Sequence, residues 1–110
     1  MKIEEVPFST LDWEKSAAEE HPGENGISHW RTLETGNLRV RVVEYSPDFR
    51  SDHWCARGHV LLVLEGELEI RLKDGRSFKL CPGTGFQVAD DEANPHLALT
   101  EKGAKVFIVD

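Results

Sequence analysis

From residue 27 onward, apolar and polar positions alternate with the period of two that a half-buried strand requires. ISHWRTLET places Ile27, His29, Arg31 and Leu33 on one face and Ser28, Trp30 and Thr32 on the other. After a Thr35-Gly36-Asn37 turn, LRVRVVEY sets Leu38, Val40 and Val42 against Arg39 and Arg41. SDHWC predicts a short strand, and HVLLVLEG a longer one that bends at Glu65-Gly66. ELEIRLKDG turns Leu68, Ile70 and Leu72 inward and its charged residues outward. Asp74-Gly75 is a hairpin signal, because glycine tolerates the positive φ of a tight turn. RSFKL then returns with Phe78 and Leu80 inward, and FQVAD, HLALT and AKVFIVD close the chain. About eight short strands with turns between them predict an all-β sandwich or barrel.

Residues 1–26 lack this alternation. They predict an irregular segment packed on a barrel of residues 27–110. Ser9 or Thr10 is a candidate cap for a helical turn at STLDWEKSAAEE, and HPGENG stops anything regular. His21 in that loop reads as solvated.

Composition narrows the function classes. A length of 110 residues fits one domain with a single core. The formal net charge of −7 argues against nucleic acid and anionic membranes as partners, since both need a cationic face. The start MKIEEVPF has no apolar stretch of signal-peptide or membrane-span length, so a cytoplasmic protein is expected. Both cysteines, Cys55 and Cys81, should then be reduced; Cys81 reads as a small buried hydrophobe.

The chemistry concentrates in DHWCARGH. His53, Cys55 and His59 fall within seven positions, and His96 lies far downstream. Neutral imidazole and thiolate suit mid-series divalent metals. Imidazoles converging in an apolar barrel repel if charged and need partners if neutral, and a divalent ion meets both demands. His53, His59 and His96 are therefore candidate ligands, with Cys55 a possible fourth. The alternative is three unrelated histidines. His29 is a weaker candidate, and the acidic run Asp90-Asp91-Glu92 reads as a solvated loop. Arg57 either lines a cavity mouth, to meet an acidic substrate, or is solvated in its turn. Trp30, Tyr45 and Trp54 read as exterior aromatics suited to a dimer contact. No nucleophile triad or phosphate loop is visible, and catalytic residues stay unassigned.

This pattern resembles the cupin superfamily, whose barrels carry two histidine motifs on adjacent strands. His53, Cys55, His59 and Gly66 fall on the first motif as His-x-Cys-x3-His-x6-Gly, with His59 where a glutamate usually stands. Gly83 or Gly85, FQVADDEANP and His96 resemble the second. Asp52, His53, Trp54 and Cys55 resemble the small single-domain cupins named for Asp-His-Cys-Trp. The resemblance implies a double-stranded β-helix, or jelly-roll barrel, holding a divalent metal, iron or zinc. Replacement of the glutamate leaves a three-His set, similar to that of thiol-oxidising iron cupins, unless Cys55 adds a thiolate. Four ligands would close a structural zinc site, whereas three leave positions for water, oxygen or substrate. The expectation is a metal-binding small cupin that takes a small-molecule ligand or substrate, dioxygenase-like or isomerase-like if it is an enzyme. The alternatives are a non-catalytic binding or sensing module and a barrel with a structural zinc. A homodimer is expected, because small barrels leave edge strands and aromatics to cover.

Overall fold

The computed structural model describes residues 2–90 and 93–110. Among these, ten strands run in order: β1 Glu19–Pro22, β2 Ile27–Thr35, β3 Leu38–Tyr45, β4 Phe49–Arg50, β5 His59–Gly66, β6 Leu68–Leu72, β7 Ser77–Leu80, β8 Gly85–Val88, β9 His96–Thr100 and β10 Ala104–Val109. They form a six-stranded sheet, β1-β2-β3-β10-β5-β8, and a four-stranded sheet, β4-β9-β6-β7, all antiparallel. The two sheets close on each other as a jelly roll. No described helix is long and apolar enough to cross a membrane.

The core lies between the sheets. Val43, Leu61, Val63 and Val106 face Leu68 and Ile70 from the other sheet, and all are almost completely buried. Successive strand residues point to opposite faces, so burying Val43 also carries Arg41 and Arg39 to the inside of β3. Arg41 is indeed buried. Val40 and Val42 fall on the opposite face of β3, where Val40 is also buried. Period two says only that residues alternate, not which set faces in. β10 pairs with β3 through Val106↔Val43 and Ile108↔Arg41, and with β5 through Val106↔Val63 and Ile108↔Leu61. One step beyond Ile108, the start of β3, the start of β5 and the end of β10 bring Arg39, His59 and Asp110 to the same end of the barrel.

Other departures from the alternation have local causes. Residues 1–26 are not wholly irregular: Glu19–Pro22 pairs antiparallel with β2 as the edge strand, where a proline is tolerated. Upstream lies one 3-10 turn, Trp13–Lys15, whose cap is Asp12 rather than Ser9 or Thr10. This segment is tied to β2 by Arg31 Nη1, which donates to the carbonyls of Trp13 and Ser16, and Trp13 meets Phe107 of β10 edge-on at 5.7 Å. SDHWC forms no strand ladder; only Cys55 makes an isolated bridge with His96. Phe78 is exposed, as are Val60, Leu62 and Leu64 on the outer face of β5. Cys81 is exposed rather than buried. Of the acidic run, Asp91 and Glu92 lie outside the described residues, whereas Asp90 accepts a hydrogen bond from the Gly58 amide at 2.6 Å.

Thr100 shows how the far end of the barrel is sealed. Its buried hydroxyl donates to the Glu67 carbonyl at 2.6 Å and accepts from the Gly103 amide at 3.1 Å. Thr100→Val keeps the shape and strands both backbone groups, so urea unfolding should show a loss of about 1–3 kcal/mol. A loss near zero would mean that water replaces the hydroxyl.

Candidate functional site

His59 opens β5 and His96 opens β9, so the two imidazoles enter the barrel from facing sheets. Their Nε2 atoms lie 3.1 Å apart, with the rings nearly perpendicular at 88°. Phe86 of β8 packs edge-on against both, at 5.4 Å. The Cys55–His96 bridge is short: the Cys55 amide donates to the His96 carbonyl at 2.7 Å, and the His96 amide donates back at 2.9 Å. That pairing sets the Cys55 thiol on the His96 side of the cavity, close enough for the two groups to influence each other's ionisation.

The contacts fix what this pair of rings needs. His96 Nδ1 lies 3.2 Å from the Asn94 carbonyl, which only accepts, so Nδ1 carries a proton. In neutral His96, Nε2 is then a bare lone pair aimed at His59. If His59 donates from Nε2, its own Nδ1 is a buried acceptor without a partner. If His59 instead holds its proton on Nδ1, toward the Asp110 carboxylate 3.9 Å away, two lone pairs confront each other at 3.1 Å. A cation between the rings, either a proton or a metal ion, removes the conflict.

The electrostatics agree. Burial pushes the His59 pKa down to about 4; charge on His96 and the Arg41 and Arg39 guanidiniums add to the shift, and Asp110 opposes it. His59 is therefore neutral at pH 7. Burial also disfavours charge on His96, but the Cys55 thiol and the Asn94 carbonyl outweigh it and raise its pKa. The His96 ring lowers the Cys55 thiol below its ordinary value against burial, with help from the Arg57 amide.

His53 does not join this group. Its side chain is 75% exposed at the cavity mouth, and its Nδ1 is 2.6 Å from Asp52 Oδ1. Among the described residues no three His, Cys, Asp or Glu side chains form a ready-made coordination shell. His29 lies on the outer face of β2, 3.6 Å from Glu20.

The rings open into a cavity of about 590 Å³ between the sheets. Trp30 and Tyr45, which the alternation had suggested were exterior, line it, and so does Trp54. His21 is not a free loop residue: it stacks on Trp30 at 3.9 Å and joins the wall. Burial raises Tyr45 to about 12, with the Arg41 charge opposing, so its hydroxyl stays protonated. Arg57 lines the cavity too, and here the sequence held only half the information. Asp110, 2% exposed, receives Arg39 through two bonds at 2.8 Å, Arg41 at 3.2 Å and Arg57 at 3.1 Å. Nothing in strand periodicity marks Asp110 as the partner of residues some seventy positions away; the one available signal was a pair of arginines inside an otherwise apolar strand.

No family model and no curated protein matches the chain. Solved structures do. An RmlC-like cupin from Shewanella frigidimarina superposes with a TM-score of 0.77 at 18% identity, covering 96% of this chain and 91% of that one. The polyketide cyclase RemF from Streptomyces resistomycificus gives 0.74 at 20%, covering 94% and 78%. Fe(II)-HppE with an alternative substrate gives 0.73 at 21%, covering 94% of this chain and 60% of that one. At such identities the likeness is one of fold, and the fold is the cupin jelly roll.

Proposed function

We propose that this cupin barrel binds a divalent metal ion, iron or zinc, and uses it on a small molecule held in the cavity. The observation that carries the reading is the pair of buried Nε2 atoms 3.1 Å apart, which need a cation between them. His59 and His96 would anchor the ion, Cys55 would be the third ligand, and His53 at the mouth is the remaining candidate. Nitrogen and sulfur donors favour iron or zinc over magnesium or calcium. The neutral His59 ring and the lowered Cys55 thiol suit ligation. Three protein ligands leave the ion open toward the cavity, where it would supply Lewis-acid or, as iron, redox chemistry. Around it the chain's own residues do the rest. Phe86 shields the rings from water, and the Tyr45 hydroxyl offers a hydrogen bond from a proton that it does not lose at neutral pH. The likeness to a cyclase and to an Fe(II) protein supports an enzyme, and the Asp-His-Trp-Cys run supports kinship with the small Asp-His-Cys-Trp cupins.

The test is elemental analysis of protein purified without added metal. About one equivalent of iron or zinc per chain is expected, removable by chelator and restored on reconstitution. A chain that takes up neither metal sinks the proposal. A second reading then gains ground, a metal-free binding module, since a single proton shared between His59 and His96 also satisfies both rings. Native mass spectrometry would then show a retained small molecule in place of metal.

A further inference from the structure

We infer that Arg39, Arg41 and Arg57 form an anion subsite, and that the small molecule this cavity takes carries a carboxylate or phosphate group. The inference deepens the reading of the cavity as the ligand site and does not require the metal.

The argument is one of charge. The chain as a whole carries −7, yet the fixed charges lining this cavity are predominantly positive. Arg39, Arg41 and Arg57 are all lining residues. The acidic lining residue is Asp52, and it is engaged by His53. Behind the wall, the Asp110 side chain answers three guanidiniums with one carboxylate. Of the other lining groups able to carry negative charge, Tyr45 is held protonated by burial and Cys55 lies next to His96.

The surplus is not dispersed into water. The Arg41 side chain is 6% exposed, touches Asp110 through one Nη, and keeps its buried Nε–H without a hydrogen-bond partner. Its guanidinium lies over the Trp30 ring at 4.4 Å, which holds the plane in place without cancelling the charge. Burial and the flanking Arg39 charge lower the Arg41 pKa, with Arg57 adding to the shift and Asp110 opposing it. Arg57 is different: its side chain is 51% exposed and spends only Nε on Asp110. Its remaining N–H groups are the ones a ligand meets first.

A planar guanidinium fork matches the paired oxygens of a carboxylate or phosphate, and such charge-assisted bonds are the strong ones. A ligand bearing one would bring the cluster close to neutrality while its remaining atoms reach toward His59 and His96. A cationic or purely apolar ligand would leave the surplus uncorrected.

Calorimetric titration of chelator-treated protein tests this, with methyl phosphate and acetate as probes and choline chloride as the cationic control at low ionic strength. One anion or both should bind, choline should not, and the better probe tells phosphoryl from carboxylate chemistry. Arg57→Gln, a change on a half-exposed loop that leaves the barrel intact, should weaken binding at least about tenfold. The Arg41 Nε–H resonance of arginine-labelled protein should shift in the same titration. The inference is overturned if neither anion binds, if binding survives Arg57→Gln with the Arg41 resonance unmoved, or if anions bind only to metal-loaded protein. A chain that never takes metal but binds anions through Arg57 would sink the metal proposal and leave this one standing.

Discussion

Asp110→Asn should cost the fold about 3–5 kcal/mol, the range for removing one partner from a buried ion pair. The substitution keeps size and shape, so it isolates charge. The wild-type Asp110 side chain is 2% exposed, accepts from Arg39 at both oxygens and from Arg41, and pairs in charge with Arg57 at 3.1 Å. Without the carboxylate, Arg41 remains buried beside Arg39 with no counter-charge. The Arg57 contact is half-exposed and contributes little, since solvent screens it. The loss should therefore track Arg39 and Arg41: in a double-mutant cycle Arg39→Gln should couple strongly to Asp110→Asn, and Arg57→Gln weakly. Urea unfolding of metal-free protein measures both. A loss below about 1 kcal/mol would mean that the arginines swing out to solvent, and the charge argument for the cavity would weaken with it.

The same carboxylate sets an acid limit. Burial opposes ionisation of Asp110, but the Arg39 hydrogen bond and the charges of Arg41, Arg39 and Arg57 outweigh it and hold the carboxyl below its ordinary value of 3.8. A depressed folded pKa means that the unfolded chain binds the proton more readily. The stabilisation from Asp110 is thus complete above about pH 4 and fades as acid takes the pH through the folded value. In Asp110→Asn that part of the pH dependence should vanish, leaving a flatter stability curve below about pH 4.

Much of the fold was legible because the strands are amphipathic and the turns carry glycine. β2, β3 and β5 begin and end where the alternation and the flanking turns say, and Leu68 and Ile70 face inward as read. What period two cannot supply is the sign of the alternation. On β3 both residue sets are plausible interiors until Val106 and Ile108 of β10 pair beside Val43 and Arg41, and that pairing is made across more than sixty residues. The candidate site divides in the same way. His59 and His96 were legible from a two-motif spacing because each opens a strand, and a strand fixes the direction of its side chain. His53 was read as part of a strand, but it sits on a bend, where no ladder dictates orientation, and Asp52 holds it at the mouth. Asp110 was missed altogether: an acidic residue after a final strand looks solvated until arginines from a distant strand are seen to enclose it.

His96→Ala should lower metal affinity by more than about a hundredfold, because replacing even an outer partner of a ligand costs 10–100-fold. His59→Ala should match it, since each ring supplies one of the two converging Nε2 atoms. The prediction discriminates because the residues stand 37 positions apart and lie on different sheets, so only a shared ion would make the two losses alike. Cys55→Ser should fall between wild type and the histidine variants, and the sulfur-to-metal charge-transfer band of cobalt-substituted protein should disappear with it. His53→Ala should lose least, because its exposed ring is already engaged by Asp52. Each variant is checked for fold by circular dichroism, and affinity is read by competition with a chromogenic chelator. The ranking carries the argument more than any single value does. A His53→Ala loss as large as that of His59→Ala would show the mouth histidine turned inward in the metal-bound protein, giving a four-ligand, closed site of the structural kind. Wild-type affinity in His96→Ala would mean that the two rings meet only to share a proton, and the cavity would then have to work by its arginines alone.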